Sequence, residues 1–316
     1  MPFPQPRASA QGTAKLPKPD EMSALFPEEP LVESAPLAYR LAQTHCRPLP
    51  ETAEDCAWYH GFWQYLRLMG LAKTSGGQGA FLIETLRGLA RAGESSRVMV
   101  SGSADYSMPA HALWAYRAEG AALRLAVVDR CETPLALCRW YADRQGETIA
   151  TDCRDVRDHE PSEAMMDVVF TNSFLGSFDP AGRPLLVAAW RRQLRPGGKV
   201  LFTNRLRPGA GTEALGFDGV QARRFAEAAR NEAEARHATL GLDPGEAGRR
   251  AQAYAERFQS FPVRSVDEIA RLLTEGGFAI ELLDVATNPG RPSAAAVSGP
   301  STEERADYAR VIATRL

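Results

Sequence analysis

A few side chains in this sequence stand where chemistry is readily done. Gly102 lies in Ser101-Gly102-Ser103, which closes the short apolar run Arg97-Val98-Met99-Val100, and Asp129 closes a second run, Leu123 to Val128. A glycine at the end of an extended segment lets the backbone approach a bound molecule, because no Cβ intervenes. A carboxylate 27 residues further on can accept hydrogen bonds from hydroxyl groups. Asp152 with Cys153, and Asn172 with Ser173, follow two further apolar stretches. His60 sits inside the aromatic segment Trp58-Tyr59-His60-Gly61-Phe62-Trp63-Gln64-Tyr65-Leu66-Arg67, where an imidazole can serve as a general base. The same segment also reads as an ordinary helix packing its apolar stripe on the rest of the chain. The loop Thr74-Ser75-Gly76-Gly77-Gln78-Gly79 is glycine-rich but lacks the Gly-Lys-Ser/Thr ending of a phosphate-binding loop, so it is read as a turn or lid.

The five cysteines are Cys46, Cys56, Cys131, Cys138 and Cys153. Their odd number argues against a secreted disulfide framework, and without a Cys-x-x-Cys pair no metal site is expected. Cys131 and Cys138 read as core residues.

The elements that must position these groups follow from hydrophobic periodicity. Residues 1–36 are proline-rich and poor in large apolar side chains, which predicts a tail. From residue 37 to 94 the pattern is helical, with Trp58, Phe62, Tyr65, Leu66 and Met69 on one face and a second helix from about Ala80 to Arg91. After residue 95 strands and helices alternate. Strands are predicted at 97–100, 123–129, 147–151, 166–171 and 199–204, with helices at 109–118, 134–144 and 185–193 between them. A helical stretch at about 209–257, mixing arginines with acidic residues, interrupts the pattern, and its charges read as solvated faces. A helix at 265–275, with Ser265 as N-cap, and strands at 278–285 and 308–316 complete it. The fold class is therefore α/β: a doubly wound, mostly parallel seven-stranded sheet carrying N-terminal helices and a helical insertion.

Bulk composition narrows the function classes. The 316 residues are 44% hydrophobic and 24% charged with a net charge of −2, ordinary for a globular protein and unlike a phosphate-backbone binder. No long apolar run suggests a membrane span, and the proline-rich N-terminus lacks a secretory h-region, so a cytoplasmic location is expected.

Five segments in order resemble the class I S-adenosylmethionine (SAM)-dependent methyltransferases, over residues 95–316: Arg97 to Ser103, Leu125 to Asp129, Ala150 to Cys153, Asp167 to Ser173 and Leu194 to Leu201. Ser265 to Phe278 adds the helix that precedes the final two strands, the last of which that family inserts antiparallel. The resemblance implies SAM as cofactor and in-line methyl transfer to a small-molecule acceptor. Its implied cofactor contacts are Ser101, Gly102, Ser103 and Asp105 after the first strand, and Asp129 with Arg130 after the second, Asp129 on the ribose hydroxyls. Asp152 and Cys153 would lie at the adenine, and Asn172 and Ser173 at the reaction centre, while Tyr65 and Arg67 reach down from the cap, Arg67 toward the cofactor carboxylate. His60 and Asn172 are the catalytic candidates, and Phe174, Phe178, Arg205 and Phe217 the candidates for the acceptor side.

The first loop departs from the family pattern of an acidic residue followed by three alternating glycines. Val100 holds the acidic position, and Ala104 and Tyr106 hold the second and third glycine positions. Asp105 is the candidate replacement for the missing acid. The same loop lacks the fuller glycine turn of a dinucleotide-binding dehydrogenase, and no Asn-x-Pro-Pro-Tyr-type sequence follows the fourth strand, which argues against nucleic-acid bases as substrates. The expected partner is a small molecule, with neither nucleic acid nor membrane; a homodimer is possible. Two rival readings are a SAM-using enzyme of another type, transferring or cyclising the aminocarboxypropyl arm, and a non-catalytic SAM-binding protein.

Overall fold

Seven strands pair into one sheet in the computed structural model, which describes residues 28–48, 54–72, 76–93, 95–160, 165–288, 299–302 and 305–316. Four helices come first: α1 (Leu31–His45), α2 (Ala57–His60), α3 (Trp63–Leu68) and α4 (Gly76–Ala92). Then β1 (Arg97–Ser101), α5 (Ser107–Ala118), β2 (Arg124–Asp129), α6 (Glu132–Arg144) and β3 (Ala150–Cys153) alternate. They are followed by β4 (Met166–Asn172), α7 (Gly182–Gln193) and β5 (Leu194–Arg205). The insertion holds α8 (Gly219–Ala235), α9 (His237–Leu240) and α10 (Pro244–Arg257), and α11 (Val266–Glu275), β6 (Phe278–Asn288) and β7 (Ala306–Arg315) end the chain.

The strand order is β3-β2-β1-β4-β5-β7-β6. Neighbours from β3 through β5 are parallel, and β7 runs antiparallel between β5 and β6. This is the class I methyltransferase arrangement that the sequence led us to expect. Alternation along each strand splits its side chains between two cores. Val98, Val100, Val168, Phe170 and Leu201 face the layer of α4, α5 and α6. Met99, Val169, Val200 and Phe202 face α7 and α11, around the fully buried Trp190. A sheet buried on both faces needs such near-continuous apolar strands, and each large side chain removed from water contributes about 1.5–3 kcal/mol.

Several boundaries move. Helix α1 starts at Leu31, inside the segment expected to be a tail, and runs through Pro36. Its buried face of Ser34, Ala35, Ala38 and Ala42 overrides the local penalty of the proline. Residues 1–27 of that expected tail, and Thr74 and Ser75 of the glycine-rich loop, lie outside the described residues. Strand β3 is shifted to 150–153, because Gly146 at φ +70° turns the chain out of α6 and the register then sets Val128 opposite Asp152 and Asp129 opposite Cys153. Asp152 and Cys153 thus end the strand instead of following it.

The insertion and the short N-terminal helices form a third core above the sheet. Phe62, Tyr65, Leu66 and Met69 pack with Phe225, Ala229, Ala251 and Tyr254. Asp218 opens α8 with a capping box, its side chain accepting from Val220 and Gln221, and Asp243 caps α10. No described helix is long and apolar enough to cross a membrane.

Candidate active site

In an open parallel sheet the ligand crevice lies beyond the carboxyl ends of the strands, where the order reverses. Here the reversal falls between β1 and β4, and a cavity of about 380 Å³ lies beside Gly102, Asp129, Asn172 and Ser173. Its other walls come from the roof (Trp58, Tyr59, His60, Trp63 and Arg67), from the end of β5 (Asn204, Arg205) and from the segment Phe258 to Val263.

Gly102 has φ +72°, a conformation that side-chain-bearing residues avoid, and a Cβ there would lie 2.4 Å from the Phe174 ring. Ser173 at the end of β4 also has positive φ, 54°, the single such non-glycine residue among those described. Asn172 Oδ1 accepts a hydrogen bond from Thr203 Oγ1 at 2.6 Å.

Asp129 is oriented by two backbone donors. The Ser103 N–H reaches Oδ2 at 2.9 Å and the Cys131 N–H reaches Oδ1 at 2.8 Å. Each carboxylate oxygen keeps a further acceptor position. Burial raises the Asp129 pKa, against the lowering effect of His60 and the two amides.

Arg67 and Asp105 meet, though not as expected. Arg67 Nη1 donates to Asp105 Oδ2 at 2.8 Å, and Nη2 donates to both carboxylate oxygens of Glu29 at 2.6 and 2.7 Å. Burial alone would raise the Asp105 pKa, but the Arg67 charge and the Ser107 N–H bond more than offset it and hold it low. Arg67 borders the cavity while two carboxylates occupy its guanidinium, which corrects the expectation that it awaits a ligand carboxylate. Asp105 is fully buried behind the wall, bonded also by the Ser107 N–H, instead of facing the cavity.

Other expected contacts are placed elsewhere. Tyr65 packs in the roof core beside Phe62, so it turns away from the cavity. Ser101, the last residue of β1, accepts from Trp190 Nε1 at 2.8 Å. Asp152 accepts from His159 Nδ1 at 2.7 Å and pairs with Arg154 at 3.1 Å; with the exposed Cys153 and Arg130 it lies outside the cavity lining. Of the acceptor-side candidates, Phe174 and Arg205 border the cavity, Phe178 meets Phe174 edge-on, and Phe217 packs against Phe225 and Phe258.

His60 borders the cavity, but its Nδ1 faces Cys46 Sγ at 3.8 Å, within a group formed by Cys46, Cys56 and Cys131. The sequence reading missed Asn204, the Phe258–Val263 wall and Tyr308 from β7. Asn204 is 3% exposed and its Oδ1 has no hydrogen-bond partner among the described residues. Its position near the end of β5, like that of Asn172 at the end of β4, was the available signal. The Phe258 to Val263 wall carried none, because that segment follows the insertion and has no strand period.

Tyr59 stacks on Trp63 at 5.4 Å and on Tyr254 at 5.8 Å, giving the roof a rigid aromatic face. The electron-rich ring faces are suited to a cationic group. The site therefore combines a hydroxyl-accepting carboxylate, a close backbone approach and an enclosed aromatic ceiling.

No family model matches the sequence, and no curated protein is similar to it. Solved structures are similar in fold. The 1,6-didemethyltoxoflavin-N1-methyltransferase of Burkholderia thailandensis is 16% identical, over 96% of this chain and 92% of that one, with a TM-score of 0.46. The magnesium protoporphyrin IX methyltransferase of Synechocystis PCC 6803 is 11% identical, over 81% and 91%, with a TM-score of 0.45. A SAM-dependent methyltransferase of Methanosarcina mazei is 14% identical, over 71% and 93%, with a TM-score of 0.45.

Proposed function

We propose that this chain is a SAM-dependent methyltransferase acting on a small-molecule acceptor. The observation that carries the proposal is the pairing of Gly102 with Asp129 at the switch point of a sheet ordered β3-β2-β1-β4-β5-β7-β6. The residues fit the cofactor. The positive φ of Gly102 turns the chain out of β1 beside the cavity, with the Phe174 ring packed where a Cβ would stand, and Asp129 is preset by two amides with acceptor capacity to spare for a ribose diol. When bound, SAM supplies an electrophilic methyl group on a sulfonium.

The chain's own residues then have three tasks: to hold, to align and to exclude water. Gly102, Ser103 and Asp129 hold the adenosine side. Asn172, Ser173 and Phe174 border the centre, and Trp58, Tyr59 and Trp63 roof it, where aromatic faces stabilise a cation. Asn204 and Arg205 present polar groups on the acceptor side. His60 is not assigned as the base in this proposal, since its Nδ1 is turned to the cysteine group. Methyl transfer to an acceptor that is already nucleophilic requires none. A cytoplasmic location belongs to the same proposal, because five cysteines without a disulfide among them suit a reducing compartment.

Titration calorimetry with SAM and S-adenosylhomocysteine, followed by product analysis with candidate acceptors, tests the reading. Binding of both and formation of S-adenosylhomocysteine are expected. Methylthioadenosine as product would favour transfer of the aminocarboxypropyl arm, and absence of binding would overturn the proposal.

A further inference from the structure

The sequence offers no Cys-x-x-Cys pair, yet the fold brings Cys46, Cys56, His60 and Cys131 together so that one donor atom of each lies within 4.8 Å of all the others. The four come from three separate places. Cys46 caps the C-terminus of α1, Cys56 and His60 bracket α2, and Cys131 is the N-cap of α6. Cys56 and His60 are four residues apart on one helical turn, closed by the His60 N–H to Cys56 O bond of 3.0 Å, so their side chains share a face. Cys46 and Cys131 are 85 residues apart, and their sulfurs are 3.6 Å from each other.

We propose that these four side chains form a structural zinc site. Three thiolates and an imidazole are a closed tetrahedral set for Zn²⁺, with no position left for water or substrate. Two sulfurs bound to one tetrahedral zinc at about 2.3 Å stand about 3.8 Å apart, and a sulfur and a ring nitrogen about 3.6 Å apart. The structure has 3.6 Å between Cys46 and Cys131 sulfurs and 3.8 Å from Cys46 Sγ to His60 Nδ1. A disulfide would need sulfurs about 2.05 Å apart. Thr133 Oγ1, fully buried, lies 3.2 Å from Cys46 Sγ and can donate to the thiolate, and Cys131 sits at a helix N-terminus, where negative charge is favoured.

Binding displaces three thiol protons to solvent, and the site carries a net charge of about −1 with a neutral imidazole. It joins α1 and the roof to the end of β2. The Cys131 N–H already donates to Asp129, so the ion fixes the loop that orients that carboxylate. His60 becomes a ligand, with its Nδ1 lone pair committed.

The protein purified without chelator and analysed by plasma mass spectrometry is expected to hold one zinc per chain. Cys56→Ser should cut that at least tenfold, while the exposed Cys153→Ser should leave it unchanged. Should Cys56→Ser not fold, mercurial titration of the wild-type chain serves instead, with one zinc released as three thiols are capped. Cobalt substituted for zinc should show the visible bands of a tetrahedral thiolate site. Zinc-free chains with five titratable thiols even after zinc addition, a disulfide among these cysteines, or stoichiometric iron or copper in place of zinc would each overturn the assignment.

Discussion

The carboxylate of Asp129, at the end of β2, accepts the backbone N–H of Ser103, in the turn after β1, at 2.9 Å. One bond thus locks two neighbouring strand ends and presents the remaining acceptor sites to the cavity. Asp129→Asn keeps the shape while removing the charge and one acceptor oxygen. Hydrogen bonds to charged groups contribute about 1.5–3 kcal/mol, so SAM affinity should fall about 10- to 100-fold in calorimetry. An unchanged affinity would remove Asp129 from the cofactor site.

Gly102→Ala tests the close approach. An L-residue at φ +72° costs about 1–2 kcal/mol, and the added methyl would collide with Phe174. The melting temperature should drop by a few degrees and SAM binding should be lost from the range that calorimetry reads. Wild-type binding in this variant would mean that the turn after β1 does not border the cofactor.

The buried pair of Arg67 and Asp105 should behave as a unit. Arg67→Met leaves two carboxylates facing one another's vicinity without their cation, at a cost of about 3–5 kcal/mol. Arg67→Met combined with Asp105→Asn should cost clearly less than the two single changes added together, as measured by urea unfolding. Additive costs would show that the pair is not coupled. Because the Asp105 pKa is lowered in the fold, its contribution is present at neutral pH and is lost as pH falls through the folded-state value.

His111 sets a second acid dependence. Burial first, and then the nearby Arg67 charge, lower its pKa to about 4, against about 6.5 in an unfolded chain. Between those values the unfolded state holds the extra proton, so stability falls as pH falls from about 6.5 to about 4, by on the order of 3 kcal/mol. His111→Leu removes the titrating ring and leaves an apolar side chain at this buried position. Melting temperatures across pH 4 to 7 should slope less steeply in the variant; identical slopes would exclude His111 as the source.

Local pattern carried the sheet. The apolar runs 97–100, 123–129, 166–171 and 199–204 reveal four strands because a parallel sheet buried on both faces demands continuous apolar segments, and their carboxyl ends point to where a ligand crevice opens. Gly102, Asp129, Asn172 and Ser173 stand at or just past such strand ends and border the cavity. Helical residues were not, because a helix face is chosen by what packs on it. Arg67 and Tyr65 sit two residues apart on α3, and only the contacts with Asp105, Glu29 and the insertion helices turned the first to two carboxylates and the second into the roof core. The meeting of Cys46, Cys56, His60 and Cys131 is likewise a tertiary fact. Spacing pairs only Cys56 with His60; Cys46 and Cys131 join them because α1, α2 and α6 converge when their apolar faces are buried together.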